Sequence, residues 1–195
     1  MEKFTSHTGT AMPLRRSNVD TDQITPARYV PYFSMTGYSN ALFADWRDDP
    51  SFVLNLPQYQ GTTILIAGNE FGTGSSRESA VWALQKFGFR VVLAPRFGDI
   101  FRGNSLMRGL LTVECPVNTI ERLWELAEED PAAPVTIDLE RLEVRYSDLV
   151  QPFTLDEGAR RLLLLGLDPI AVTLRYEDDI AVFERGRRHG LPITH

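Results

Sequence analysis

The 195-residue chain has a single cysteine, Cys115, and that scarcity excludes a good deal of chemistry. One thiol closes no intramolecular disulfide and builds no cysteine-rich zinc site. It also falls short of the three or four thiolates that hold an iron–sulfur cluster, so any cluster chemistry has to come from elsewhere. Histidine is almost as scarce. His7, His189 and His195 all lie towards the termini, and none is near the serines singled out below, which disfavours a serine hydrolase. Long apolar runs are missing as well, and none approaches the roughly 18 residues of a membrane span. The first ten residues lack a basic start followed by an apolar stretch, so neither a secretory signal nor a transit peptide is expected. A reduced, cytoplasmic protein is the expectation.

Positive charge is in deficit, with 20 Lys+Arg against 26 Asp+Glu and a net charge of −6. That balance opposes non-specific attraction to a polyphosphate or an anionic membrane, and no local basic patch offsets it. No nucleic-acid or membrane partner is expected. The imbalance is also uneven. Residues 1–112 hold 11 Lys+Arg and 9 Asp+Glu, a net of +2, whereas residues 113–195 hold 9 and 17, a net of −8. Lysine occurs only at Lys3 and Lys86; the other cations are arginines, whose planar fork suits carboxylates.

What remains is an ordinary globular composition, 43% hydrophobic and 24% charged, without repeats or low-complexity tracts. It suggests a single domain over 1–195 with one loop at Pro131 to Pro134. Thr62 to Ala67 is an apolar, β-branched run between glycines and reads as a buried strand. The spacing of Ala80, Val81, Leu84 and Phe87 predicts a helix from Ser76 to Phe87 that stops at Gly88. Phe89 to Ala94 and Leu110 to Cys115 read as strands around a helix from Phe97 to Arg108, with Phe97, Ile100 and Phe101 buried. Asn118 with Glu121 has the spacing of a capping box for a helix through Glu129, burying Ile120, Leu123, Trp124 and Ala127. Val135 to Leu139 and Leu142 to Tyr146 alternate like a hairpin, and Asp156 starts a helix through Leu165 that stops at Gly166. Leu162 to Leu165 and Trp82 are expected in the core. Ile170 to Leu174 fits strand or helix, and Asp178 to Arg185 a last helix.

Three segments carry candidate chemistry. Gly68-Asn-Glu-Phe-Gly-Thr-Gly-Ser-Ser-Arg-Glu78 is a glycine-rich loop running from a strand into a helix, where free N–H groups favour an anion. It lacks both the phosphate-loop and the dinucleotide spacing, so a carboxylate is the better guest. Arg77 is placed to clamp one and Ser75 and Ser76 to set hydroxyls beside it; alternatively, one of these serines simply caps the helix. Asn18-Val-Asp-Thr-Asp-Gln offers Asp20 and Asp22 for a cap, a turn or a cation. Arg96-Phe-Gly-Asp-Ile-Phe-Arg-Gly-Asn104 taken alone reads as packing.

In this order the three segments resemble the small-subunit family of bacterial 3-isopropylmalate dehydratases, which is similar to the swivelling domain of aconitase. The likeness extends along nearly the whole chain, including Leu42-Phe-Ala-Asp-Trp-Arg47, Phe52-Val-Leu-Asn55 and Gly166-Leu-Asp168. It implies an α/β fold, a compact β/β/α swivelling domain of the aconitase type. It further implies a hydro-lyase of leucine biosynthesis, active only with a large subunit that carries a 4Fe–4S cluster, acting on a small dicarboxylate. By the same resemblance Ser75 is the catalytic base, Ser76 its substrate-bonding neighbour, Arg77 the carboxylate-binding arginine and Asp22 an active-site aspartate.

Two departures stand out. Ser79 occupies a position where the family commonly has histidine. The segment matching the family's specificity loop, Ala27 to Gly37, keeps Arg28 as its only cation and adds Tyr29, Tyr32, Phe33 and Met35. That leaves open a related hydro-lyase acting on a bulkier aryl or alkyl malate or another aconitase-family substrate. A non-catalytic carboxylate-binding module is the alternative of another class.

Overall fold

In the computed structural model, which describes residues 1–32, 38–75 and 77–187, the most apolar runs of the sequence pair in parallel. They are β2 (Ala11–Leu14), β3 (Ile64–Ala67), β4 (Val91–Ala94) and β5 (Leu111–Glu114), in the order β2-β3-β4-β5. A parallel sheet of this kind is covered on both faces, which is why its strands are apolar at nearly every position. Successive side chains alternate between two cores. Met12, Leu14, Leu65, Ala67, Val92 and Ala94 point to one. Ala11, Ile64, Ile66, Val91, Leu93, Leu111 and Val113 point to the other. Pro13 is tolerated because β2 is an edge strand.

The first face is covered by helices: α1 (Thr21–Ile24), α2 (Tyr38–Ala41), α3 (Glu78–Phe87) and α4 (Asp99–Arg108). Ala80, Val81 and Leu84 of α3 and Phe101 of α4 enter the core there, beside Phe71 and Phe97. The Phe71 ring meets Phe101 edge-on at 5.5 Å, and each such ring contributes on the order of 1.5–3 kcal/mol on burial. The second face is covered by α5 (Val117–Glu129) and by an antiparallel sheet of β1 (Ser6–Gly9), β6 (Val135–Asp138), β7 (Glu143–Tyr146) and β8 (Leu149–Pro152), ordered β1-β6-β7-β8. Three helices follow: α6 (Glu157–Leu165), α7 (Pro169–Thr173) and α8 (Glu177–Arg185). The layering is sheet, sheet, helices, the β/β/α arrangement that the resemblance implies. Among the described residues no helix is long and apolar enough to cross a membrane.

Several expectations need correction. Ile100 is 55% exposed, because it sits in the first turn of α4 with its side chain away from the sheet. The capping box at Asn118 is not formed; Pro116, with φ −53°, is the residue preceding α5, and no side chain caps that helix. Trp124 is only half-buried: its indole Nε1 donates to the Ile66 carbonyl at 2.8 Å, while the Arg15 guanidinium, itself partly exposed, lies 5.1 Å from the ring centre. Of Leu162 to Leu165 only Leu163 is fully buried, because an exposed helix buries one stripe and not its whole circumference. Trp82 is partly exposed too, with the Arg108 guanidinium over its ring. The helix expected from Ser76 begins at Glu78. The ambiguous Ile170 segment is helical, started by Pro169 and by Asp168, whose carboxylate accepts from the Ala171 amide at 2.7 Å.

A candidate active site on the loops after β2, β3 and β4

Ligands of open α/β sheets gather beyond the carboxyl ends of the parallel strands, and all three candidate segments emerge there. The loop after β3 lies between the other two. On one side it pairs with the segment after β2. The Asn18 amide donates to Asn69 O at 2.8 Å, the Gly72 amide to Val19 O at 2.7 Å, and the Thr21 amide to Thr73 O at 2.9 Å. On the other side the Phe71 amide donates to Arg96 O at 3.1 Å, and the Gly98 amide to Phe71 O at 2.9 Å. Segments scattered through the sequence thus become neighbours in one small ladder. Gly72 is required in it: φ is +77°, and a Cβ there would stand 2.3 Å from the Phe101 ring.

Each side chain of the site has a local origin. Asp20 precedes α1 and accepts from the Gln23 amide at 2.8 Å, while the Gln23 side chain accepts from the Asp20 amide at 2.9 Å. This capping box fixes the short helix that carries Thr21 and Asp22. The Arg77 Nη2 stands 3.0 Å from Asp22 Oδ1 and 3.2 Å from Oδ2, so the aspartate holds the arginine fork from 55 residues away. Arg77 also precedes α3, and among the described residues no side chain caps that helix, so Ser75 does not serve as its cap. The Thr21 hydroxyl donates to the Ser75 carbonyl at 2.8 Å. Ser75 itself is exposed, and among the described residues its hydroxyl has no hydrogen-bond partner. It borders a cleft of about 270 Å3 shared with Gly98, Ile100 and Phe101. The N-terminus of α4, which no described side chain caps, lines the same cleft, and the free N–H groups of a first helical turn favour an anion.

The structure therefore brings Asp22, Ser75 and Arg77 together. It does not bring Arg28 to them: that guanidinium pairs with Asp45 and lies 5.0 Å from the centre of the Tyr29 ring, exposed to solvent. Ser76 and the stretch 33–37 of the specificity loop lie outside the described residues. Ser79 is buried in the first turn of α3. The sequence reading missed Thr21, the Glu70–Arg96 ion pair at 3.4 Å, and the role of Gly98, where a Cβ would stand 2.4 Å from Gly72 O. No local pattern marks any of the three, since each acts on a distant segment.

An iron–sulfur cluster does not fit this chain. Cys115 is buried just after β5, and burial pushes its thiol up to about 12, the opposite of what a thiolate ligand needs. Among the described residues no three His, Cys, Asp or Glu side chains gather as a metal site.

Comparison with known proteins shows the family. Residues 1–118 match the aconitase C-terminal domain family, and residues 121–157 match LeuD_N. The 3-isopropylmalate dehydratase small subunit of Thermobifida fusca is 60% identical over 194 residues, covering 100% of both chains. That of Acidothermus cellulolyticus is 58% identical, covering 100% of this chain and 98% of its own. The crystal structure of a 3-isopropylmalate dehydratase from Methanocaldococcus jannaschii superposes with a TM-score of 0.69 at 23% identity, covering 91% of this chain and 98% of that one. At that identity the match speaks for the fold alone. With the full-length relatives beside it, the chain belongs to the family of 3-isopropylmalate dehydratase small subunits, built on the aconitase-type domain.

Proposed function

We propose that this chain is the dicarboxylate-binding, proton-transferring half of a 3-isopropylmalate dehydratase, isomerising 2-isopropylmalate to 3-isopropylmalate in leucine biosynthesis. It works in the cytoplasm as one swivelling domain over residues 1–195, completed by a large subunit. The 4Fe–4S cluster belongs to that partner, because one buried thiol cannot hold it. Ser75 is the base that takes the proton from the carbon next to the one losing its hydroxyl. Arg77 holds a substrate carboxylate, Asp22 holds the arginine fork, Ser76 bonds the substrate beside Ser75, and Arg28 belongs to the loop that reads the substituent.

The observation that carries this reading is the Asp22–Arg77 pair, at 3.0 Å, together with the exposed Ser75 two residues before Arg77, whose carbonyl is held by Thr21 of the helix that carries Asp22. A hydroxyl is a very weak base unless its alkoxide is stabilised. Arg77 supplies a full positive charge, and the starts of α3 and α4, which no described side chain caps, supply N–H dipoles in fixed directions. Mixing the purified chain with a cluster-loaded large subunit tests the assignment. Interconversion of 2- and 3-isopropylmalate in the mixture, and by neither component alone, is expected. A mixture that assembles but leaves isopropylmalate unchanged overturns it.

A further inference from the structure

We infer that Thr21 is a positioning residue for Ser75, holding the serine turn in the orientation that proton abstraction requires. The inference rests on the reading of Ser75 as the base. Thr21 is 2% exposed and grips the loop twice: its amide donates to Thr73 O at 2.9 Å and its hydroxyl to Ser75 O at 2.8 Å. These two bonds straddle Gly74, whose φ of +87° and missing side chain make it the softest link in the loop. Without the second bond, the backbone at Ser75 is tethered on its N-terminal side only through that glycine. With it, the Ser75 carbonyl is fixed, and so is the direction in which the Cα–Cβ bond that carries its hydroxyl leaves the backbone.

Thr21 is suited to this by its own surroundings. A β-branched side chain has few χ1 choices, and the capping box of Asp20 and Gln23 together with the Thr25 amide bond to Thr21 O at 2.9 Å holds its backbone. The carboxylate clamp is carried separately, by Asp22 on Arg77. Loss of the Thr21 hydroxyl therefore loosens the reacting group and leaves the carboxylate grip in place, so kcat falls more than KM changes.

The test uses the complete enzyme with its large subunit. Thr21→Val, which keeps the shape and removes the hydroxyl, is expected to lower kcat by about 10–100-fold, the scale of a misplaced reacting group, with KM changed by less than about threefold. Thr21→Ser, which keeps the hydroxyl, is expected to stay within about threefold of the parent in kcat. Should valine disturb folding or assembly, Thr21→Ala replaces it, since alanine and serine both lack the methyl group and differ in the hydroxyl. A hydroxyl-free variant that assembles, melts normally and keeps the parental kcat overturns the inference, as does a serine variant equally impaired. Ser75→Ala run alongside separates the two readings: its inactivity beside an unimpaired Thr21 variant sinks the positioning role alone, and its full activity sinks the base assignment on which that role rests.

Discussion

Gly72 and Gly61 share a φ of +77° but not their surroundings. A Cβ on Gly61 meets nothing within 4 Å, whereas one on Gly72 stands 2.3 Å from the Phe101 ring. Left-handed backbone costs an ordinary residue about 1–2 kcal/mol, and crowding a packed core adds about 1–3 kcal/mol. Gly72→Ala is therefore expected to lower the unfolding free energy about 2–5 kcal/mol and Gly61→Ala about 1–2 kcal/mol, as read by urea denaturation. Equal losses would remove the steric argument for the loop. Cys115 gives a second single-residue outcome. Burial raises its thiol to about 12 in the folded chain, above the value of about 8.5 in an unfolded one. A raised value means that the contribution to stability is complete below about pH 8.5 and is lost as pH climbs towards 12. Unfolding curves should accordingly weaken on the alkaline side. Iodoacetamide at pH 8 should leave the native thiol untouched and label it in urea; rapid labelling of native protein would contradict the burial.

Among elements, α1 has four residues and no independent stability, so its cap matters more than its length. Asp20→Ala removes one half of the capping box and is expected to cost about 1 kcal/mol in thermal unfolding, with a loss of turnover because Thr21 and Asp22 ride on that helix. Asn118→Ala, at the capping box that does not form in α5, should change stability by less than about 0.5 kcal/mol. A large effect at Asn118 and none at Asp20 would reverse this picture. These two caps also show what the sequence can and cannot disclose. The buried strands β3, β4 and β5 were legible from apolar runs, and the ends of α3 and α6 from Gly88 and Gly166, because those signals are local. Strands β1, β2 and β8 were not: β1 and β2 pair with the distant β6 and β3, with Pro13 inside β2, and β8, although it forms a hairpin with the neighbouring β7, is only half-buried and has no apolar run to mark it. The same capping-box spacing formed at Asp20 and failed at Asn118, where Pro116 set the helix entry and Thr119 turned its hydroxyl to Gln151.

For the whole molecule, two cores on either face of one parallel sheet hold the three loops rigidly enough to bring Asp22 to Arg77 across 55 residues. The motifs were visible in the sequence, whereas their adjacency is a property of strand order, with β2 beside β3 and β3 beside β4. The charge distribution agrees with the layering. The segment up to residue 112, net +2, supplies the proposed dicarboxylate site, while the acidic remainder, net −8, builds three of the second sheet's four strands and helices α5 to α8. The central claim is that Ser75 performs the proton transfer in an enzyme completed by a second subunit. Ser75→Ala, reconstituted with the cluster-loaded large subunit and assayed on 2-isopropylmalate, tests it most directly. Turnover should fall by about 10²–10⁴-fold while melting temperature and subunit assembly stay at parental values. Near-parental turnover in that assembled variant would contradict the claim.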